Sequence, residues 1–234
     1  MHKFSMPQPI VDRVVRKRGR VHAYDRIEVA KTALIVIDLQ NAFMQVGVAH
    51  ALCEMAPKIV PNVNRLAAAL RDAGGTVVWV RTTATPYTLQ DWSVYYELLT
   101  PAARQKRLQA LADGSAGHEF WSELDIREPD LIVTKLRYSA FIQGSSDLEA
   151  QLRARSIDTV LITGCVTNTC CESTARDAMM RNFNTVMVSD GNAAGNDQEH
   201  ANSLIAFYLN FGDVQTTDEV IRHMRTRQSE VAVA

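Results

Sequence analysis

The sequence predicts an α/β protein in three layers, α-β-α, built around a mostly parallel twisted sheet of about five to six strands. Three observations predict it. Short apolar runs rich in β-branched residues recur along the chain, segments of helical periodicity separate them, and the runs are unbroken rather than alternating, as strands covered on both faces should be.

Taken in order, residues 1–30 form an N-terminal arm, and the run of four arginines and one lysine over 13–20 reads as a solvated segment or a subunit contact, with an anion site as the alternative. Residues 33–37, Ala-Leu-Ile-Val-Ile, make the first strand. A helix over 59–73 follows, with Val60, Val63, Leu66, Ala67 and Leu70 on one face and Gly74-Gly75 ending it. The second strand covers 76–80 and the third 131–133. Between them, 82–128 is long and aperiodic and carries Trp92, Tyr95, Tyr96, Phe120 and Trp121; it reads either as an insertion shaping a pocket or as aromatics packed on a neighbouring subunit. A helix over 147–155, a strand over 159–162, a helix over 172–182, a strand over 185–188 and a helix over 200–210 complete the alternation. This order implies right-handed crossovers in a single domain over 31–225, followed by a tail over 226–234. A (β/α)8 barrel would need more repeats. A dinucleotide site would need a glycine-rich first turn, where Asp38-Leu39-Gln40-Asn41 stands instead.

With 25 basic and 26 acidic residues and a net charge of -1, the 234-residue chain has no overall field to recruit nucleic acid or an anionic membrane. No segment approaches the ~20 apolar residues of a membrane span, and the charged start lacks a signal-peptide core, so a cytoplasmic location is expected. Four cysteines, at 53, 165, 170 and 171, are too few for a disulfide framework and read as thiols. No second Cys-x-x-Cys element or nearby histidine makes a zinc site of them. No metal or other cofactor is expected.

Three residues at strand ends carry chemistry. Asp38 follows the first strand, Lys135 follows the run 131–134, and Cys170 lies eight residues past Ile162, in the first turn of a helix. Singly, each has an ordinary role: a helix N-cap or turn residue, a solvated lysine, a small buried hydrophobe. Together they place an acid, a cation and a thiol at one edge of one sheet, where ligands of open α/β folds collect. A free thiol, with a pKa near ~8.5, is largely protonated at neutral pH and needs help to attack a carbonyl. A helix N-terminus and an ammonium favour the thiolate, and a carboxylate can take the proton and deliver it to a leaving nitrogen.

Here the chain resembles the isochorismatase-like cysteine hydrolases. The matching segments are Ala33-Leu-Ile-Val-Ile-Asp-Leu-Gln-Asn-Ala-Phe43, Lys135-Leu-Arg-Tyr-Ser-Ala-Phe141, and Ile162-Thr-Gly-Cys-Val-Thr-Asn-Thr-Cys-Cys-Glu-Ser-Thr-Ala-Arg-Asp-Ala178, within about 32–218. The resemblance implies the isochorismatase-like hydrolase fold and an Asp-Lys-Cys triad: Asp38 as general acid/base, Lys135 as electrostatic partner, Cys170 as nucleophile. Cys171, where the family often has valine, is expected to pack. The resemblance further implies a cis peptide between Val166 and Thr167 and an oxyanion hole made by the N–H groups of Thr167 and Cys170.

Members acting on a vinyl ether lack the cysteine, so Cys170 implies an acyl-enzyme route at a C–N bond. Nicotinamidases add an Asp and His metal cluster after the second strand, whereas residues 81–92 contain no histidine. Arg137-Tyr138-Ser139 and the Cys-Glu-Ser-Thr-x-Arg-Asp run look most like ureidoacrylate and carbamoyl-amide hydrolases. The implied partner is a small amide or ureide, with Tyr138, Asn41 and Phe43 as lining candidates and a homo-oligomer, dimer or tetramer, as the assembly. Nicotinamidase-like and maleamate-type amidases are the neighbouring alternatives; a catalytically silent scaffold and a thiol sensor are those of another class.

Overall fold

The computed structural model describes residues 1–231, with side chains through Met224. Strands β1 (Thr32–Ile37), β2 (Thr76–Thr82), β3 (Leu131–Lys135), β4 (Thr159–Cys165), β5 (Asn184–Ala193) and β6 (Asp213–Gln215) form one sheet in the order β3-β2-β1-β4-β5-β6, every pair parallel. β1 to β5 coincide with the five apolar runs. Every residue of β1 and β4 is buried, which is why neither alternates. Successive side chains nevertheless serve different cores. Leu34 and Val36 join one apolar cluster, while Ala33, Ile35 and Ile37 join the other.

Helices fill both layers. α1 (Gln8–Arg18), α7 (Leu148–Ala154), α8 (Glu172–Met180) and α9 (Asp197–Asn210) contribute Val14, Leu148, Leu152, Ala175, Ala178, Leu204 and Phe207 to the second cluster. The first is covered by α3 (Val60–Asp72), through Val63, Leu66 and Leu70, and by α10 (Thr217–Val231), through Val220 and Ile221. A short helix α2 (Asn41–Met44) follows β1; α4 (Thr88–Asp91), α5 (Ser93–Glu97) and α6 (Pro101–Ala110) follow β2. α6 starts where Pro101 is preorganised for a first turn and Thr100 Oγ1 accepts the Ala103 N–H at 3.2 Å. Among the described residues no helix is long and apolar enough to cross a membrane.

Two terminal expectations change. The basic run is mostly helical rather than an extended arm: residues 13–18 belong to α1, where Arg13, Arg16 and Lys17 are exposed while Val14 is buried and Arg18 donates to the Gly212 carbonyl at 3.2 Å and lies 4.6 Å over the Tyr208 ring. The tail expected from residue 226 continues α10 as far as Val231, and residues 232–234 lie outside the described residues.

The segment after α1 is clasped to the sheet edge by His22, whose Nδ1 lies 3.3 Å from Asp213 and whose Nε2 lies 3.7 Å from Glu219. Hydrogen bonding to Asp213, then to Glu219, raises the His22 pKa to about 9, and the His22 bond lowers Glu219 to about 2. The histidine's contribution is fully present below its unfolded pKa of about 6.5 and is lost as pH rises through about 9. That of Glu219 is present above about 4.5 and is lost as pH falls through about 2. The clasp is therefore strongest between about pH 4.5 and 6.5. Allowing for partial solvent screening, His22→Gln is expected to cost about 1–2 kcal/mol at pH 6, or about 2–8 °C in melting temperature. The cost should shrink by pH 9 in paired melts; an equal loss at both pH values would contradict the charged clasp.

Candidate active site

The strand order makes β1 and β4 neighbours from whose ends the chain departs in opposite directions, opening a crevice at their carboxyl edge. Asp38 leaves β1 with φ 56, in the left-handed region where an Asp is tolerated and most side chains are strained. Beside it, Gly164 pairs with Ile37 and has φ 120; a Cβ there would come within 2.0 Å of the Ile37 carbonyl oxygen. Only glycine lets β4 run this close to the end of β1. The Thr-Gly-Cys of the sequence is thus the joint that brings the following turn against Asp38.

That turn departs from expectation in two respects. The cis peptide lies between Cys165 and Val166, one bond earlier than Val166-Thr167. A single turn of π-helix, Thr167–Cys171, then precedes α8, with the Cys171 N–H donating to the Val166 carbonyl at 3.3 Å. One-turn π segments are rare and concentrate at functional sites, because the wider turn re-aims side chains that a regular helix would place elsewhere.

Lys135 closes β3 and stands in register with Thr82 of β2. Its side chain passes that strand to reach Asp38, with Nζ 2.8 Å from Oδ2 and both side chains wholly buried. The ammonium also donates to Thr82 Oγ1 at 2.6 Å and to the Arg137 carbonyl at 3.0 Å, while the Thr82 hydroxyl donates to Asp38 Oδ1 at 2.9 Å. A buried ion pair persists only when its remaining polar atoms are satisfied in this way. Oδ2 is the exception. Beyond its ion pair it has no well-directed hydrogen bond to a donor among the described residues, which leaves it acceptor capacity for one more proton.

The Cys170 thiol is the donor at hand, buried and near enough for Asp38 and Lys135 both to act on its pKa. Burial would lower the Lys135 pKa, but the charges of Asp38 and Cys170 and the hydrogen bond to Asp38 outweigh it, and Lys135 is held above the usual lysine value. Burial pushes the thiol up to about 12, with Asp38 adding to the rise and Lys135 opposing it. Desolvation thus outweighs the ammonium, and the thiol holds its proton more tightly than an ordinary cysteine does.

Above Cys170 opens a cavity of about 260 Å³, walled by Phe43, His50, Tyr95, Arg107 and Tyr138 among others. Phe43 and Tyr138 are where the sequence put them. Asn41 is not: its side-chain amide donates to the Ala116 carbonyl at 3.0 Å and its N–H to the Glu119 carbonyl at 2.9 Å, so it braces the 116–119 loop outside the cavity. The Thr167 hydroxyl lies 2.9 Å from His200 Nδ1 and its carbonyl accepts from Ser203 at 3.3 Å. Val166, before it, lines the cavity.

Reading the sequence alone missed Thr82, His50 and Arg107. Of the two readings of 82–128, the structure supports the insertion that shapes the pocket: Tyr95 of α5 and Arg107 of α6 form its wall, with the Tyr95 ring 5.5 Å from that of Tyr138. Among the described residues no histidine hydrogen-bonds to Cys170; desolvation holds the half-buried His50 and the buried His200 well below their ordinary pKa, at about 3 and about 4. Among the described residues no three His, Cys, Asp or Glu side chains gather in a way that would hold a metal ion.

Comparison with known proteins places this geometry in context. A family model described as an isochorismatase domain matches residues 32–219. The ureidoacrylate amidohydrolase RutB of Pseudomonas savastanoi pv. phaseolicola is 31% identical over 208 residues, covering 83% of this chain and 84% of its own. A crystal structure of a cysteine hydrolase from Pseudomonas syringae pv. phaseolicola superposes with a TM-score of 0.76 at 32% identity, covering 86% of this chain and 95% of that one. The N-carbamoylsarcosine amidase of Thermoplasma acidophilum superposes with a TM-score of 0.65 at 28% identity over 80% of this chain and 97% of its own.

Proposed function

This chain belongs to the isochorismatase family of hydrolases, and from that premise we propose that it is a cysteine hydrolase cleaving a C–N bond of a small polar amide or ureide. The observation that carries the reading is the buried Asp38–Lys135 pair set against the Cys170 thiol at the floor of a cavity. An ion pair so placed is expensive for a merely structural purpose, because apolar residues of similar volume would serve as well or better. Its position explains it as chemistry.

In the proposed reaction the thiol proton passes to Asp38 as sulfur bonds to the substrate carbonyl carbon. Transfer coupled to attack is what a thiol with a pKa of about 12 requires. The tetrahedral oxyanion is received by the N–H groups of Val166 and Cys170, Val166 replacing Thr167 because it is the one at the cavity. The C–N bond then breaks, Asp38 returning the proton to the departing nitrogen. A water attacks the thioester, gives its proton to Asp38, and the acid leaves as the proton goes back to sulfur. Lys135 keeps its charge throughout, holding Asp38 in place. Thr82, bonded to both, fixes the pair's geometry.

The test is ammonia or amine release from a panel of ureides, N-carbamoyl amino acids, maleamate and nicotinamide. Release from at least one member, lost in Cys170→Ala, is the expected result; unchanged release in that variant contradicts the mechanism.

A further inference from the structure

We propose that Arg107 is the anchor for a substrate carboxylate, so that this site takes amides or ureides that are anions at neutral pH. The inference rests on the hydrolase reading above and names its substrate class. Arg107 projects from α6 into the wall of the same cavity that Cys170 floors, and it is 5% exposed. Buried guanidinium groups are normally paired with a carboxylate, since an uncompensated charge away from water is costly.

Arg107 is not so paired. Nε lies 3.4 Å from the Tyr96 hydroxyl, Nη1 lies 3.2 Å from His50 Nε2, and the guanidinium sits 4.9 Å over the Tyr95 ring. Among the described residues no Asp or Glu forms an ion pair with it, and the cavity wall contains no acidic side chain.

Its neighbours hold it in place without neutralising it. Burial first, then the charges of Arg107 and Lys106, lowers the His50 pKa to about 3, so His50 is a neutral acceptor at any working pH. The Phe43 ring abuts it edge-on at 5.0 Å, which limits its rotation. A cation fixed by a neutral imidazole, a phenol and an aromatic face has its charge left for a ligand. Its field also reaches the chemistry, since it pulls down the pKa of both Cys170 and Tyr138. An anion seated at Arg107 therefore stands beside the nucleophile, with its scissile carbonyl to be placed over sulfur.

The experiment compares kcat/KM for an acid and its neutral isostere, such as an N-carbamoyl amino acid against its methyl ester, or maleamate against maleamide. It uses wild type, Arg107→Gln and Arg107→Lys. Binding of maleate, a non-hydrolysable small dicarboxylate, is measured in parallel by calorimetry. A charge-assisted hydrogen bond in a buried site makes the expected wild-type preference for the acid about 10- to 100-fold. Arg107→Gln should erase the preference chiefly through the KM of the acid and abolish maleate binding; Arg107→Lys should keep part of each. Equal or reversed preference in wild type overturns the proposal even if Arg107→Gln fails to fold. Arg107-dependent maleate binding without hydrolysis of any substrate would sustain the anion site and sink the reaction. Hydrolysis indifferent to the carboxylate would do the reverse.

Discussion

Asp38→Asn is expected to lower kcat by about 10²–10⁴, the usual contribution of a positioned general acid/base, while changing KM by less than about threefold. Asparagine is close to isosteric and keeps an oxygen for the Thr82 hydroxyl, now 2.9 Å from Oδ1. It loses the open acceptor position on Oδ2. With the thiol at about 12, Lys135, whose charge acts on it most strongly, is an ammonium held above the usual lysine value and cannot take the proton. A fall of less than about tenfold in initial rates would show that the proton leaves by another route.

Lys135→Met is expected to cost stability more than any surface change. It removes the ammonium from a carboxylate that is wholly buried and leaves that charge uncompensated, at about 3–5 kcal/mol or about 6–20 °C in melting temperature. The double variant Asp38→Asn, Lys135→Met replaces the pair by neutral groups of similar size. It should recover most of the loss, because the penalty lies in the orphaned charge and not in the absent attraction. Strictly additive losses in the double variant would show that the two residues are not coupled. The catalytic reading requires the recovered protein to be stable and inactive, which separates the pair's role in folding from its role in chemistry.

Much of the fold was legible because burial on both faces leaves a strong mark. β1 and β4 read as unbroken apolar runs, and the ends of β1, β3 and β4 gave Asp38, Lys135 and the turn to Cys170. β6 left no such mark. Its three residues, Asp213-Val214-Gln215, are two-thirds polar, and they become a strand only through pairing with Val186 to Val188. α1 was obscured by its own charges, since Arg18 belongs inside against Tyr208 while its neighbours face water.

The candidate site was legible where a side chain stands at a strand end and illegible where it comes from across the fold. Thr82 is one threonine among several until β2 and β3 pair and set it between Lys135 and Asp38. Arg107 sits in α6 beside Arg104 and Lys106, and no periodicity separates the buried arginine from the half-buried one or from the exposed lysine. Asn41 failed as a lining candidate for the converse reason: nearness in sequence to Asp38 does not fix direction, and the turn of α2 sends its amide toward Ala116. The π turn also has no signature in the sequence, yet Thr169 and Cys170 within it, and Val166 before it, line the cavity.

The most direct test of Cys170 as the attacking group is rapid acid quench during steady-state turnover of a hydrolysed substrate, followed by mass analysis of the peptide spanning 166–176. An adduct of the acyl fragment's mass on Cys170, decaying as product forms and absent from Cys170→Ala, is the predicted result. Turnover with no adduct on Cys170, or with the adduct on Cys171, would contradict it.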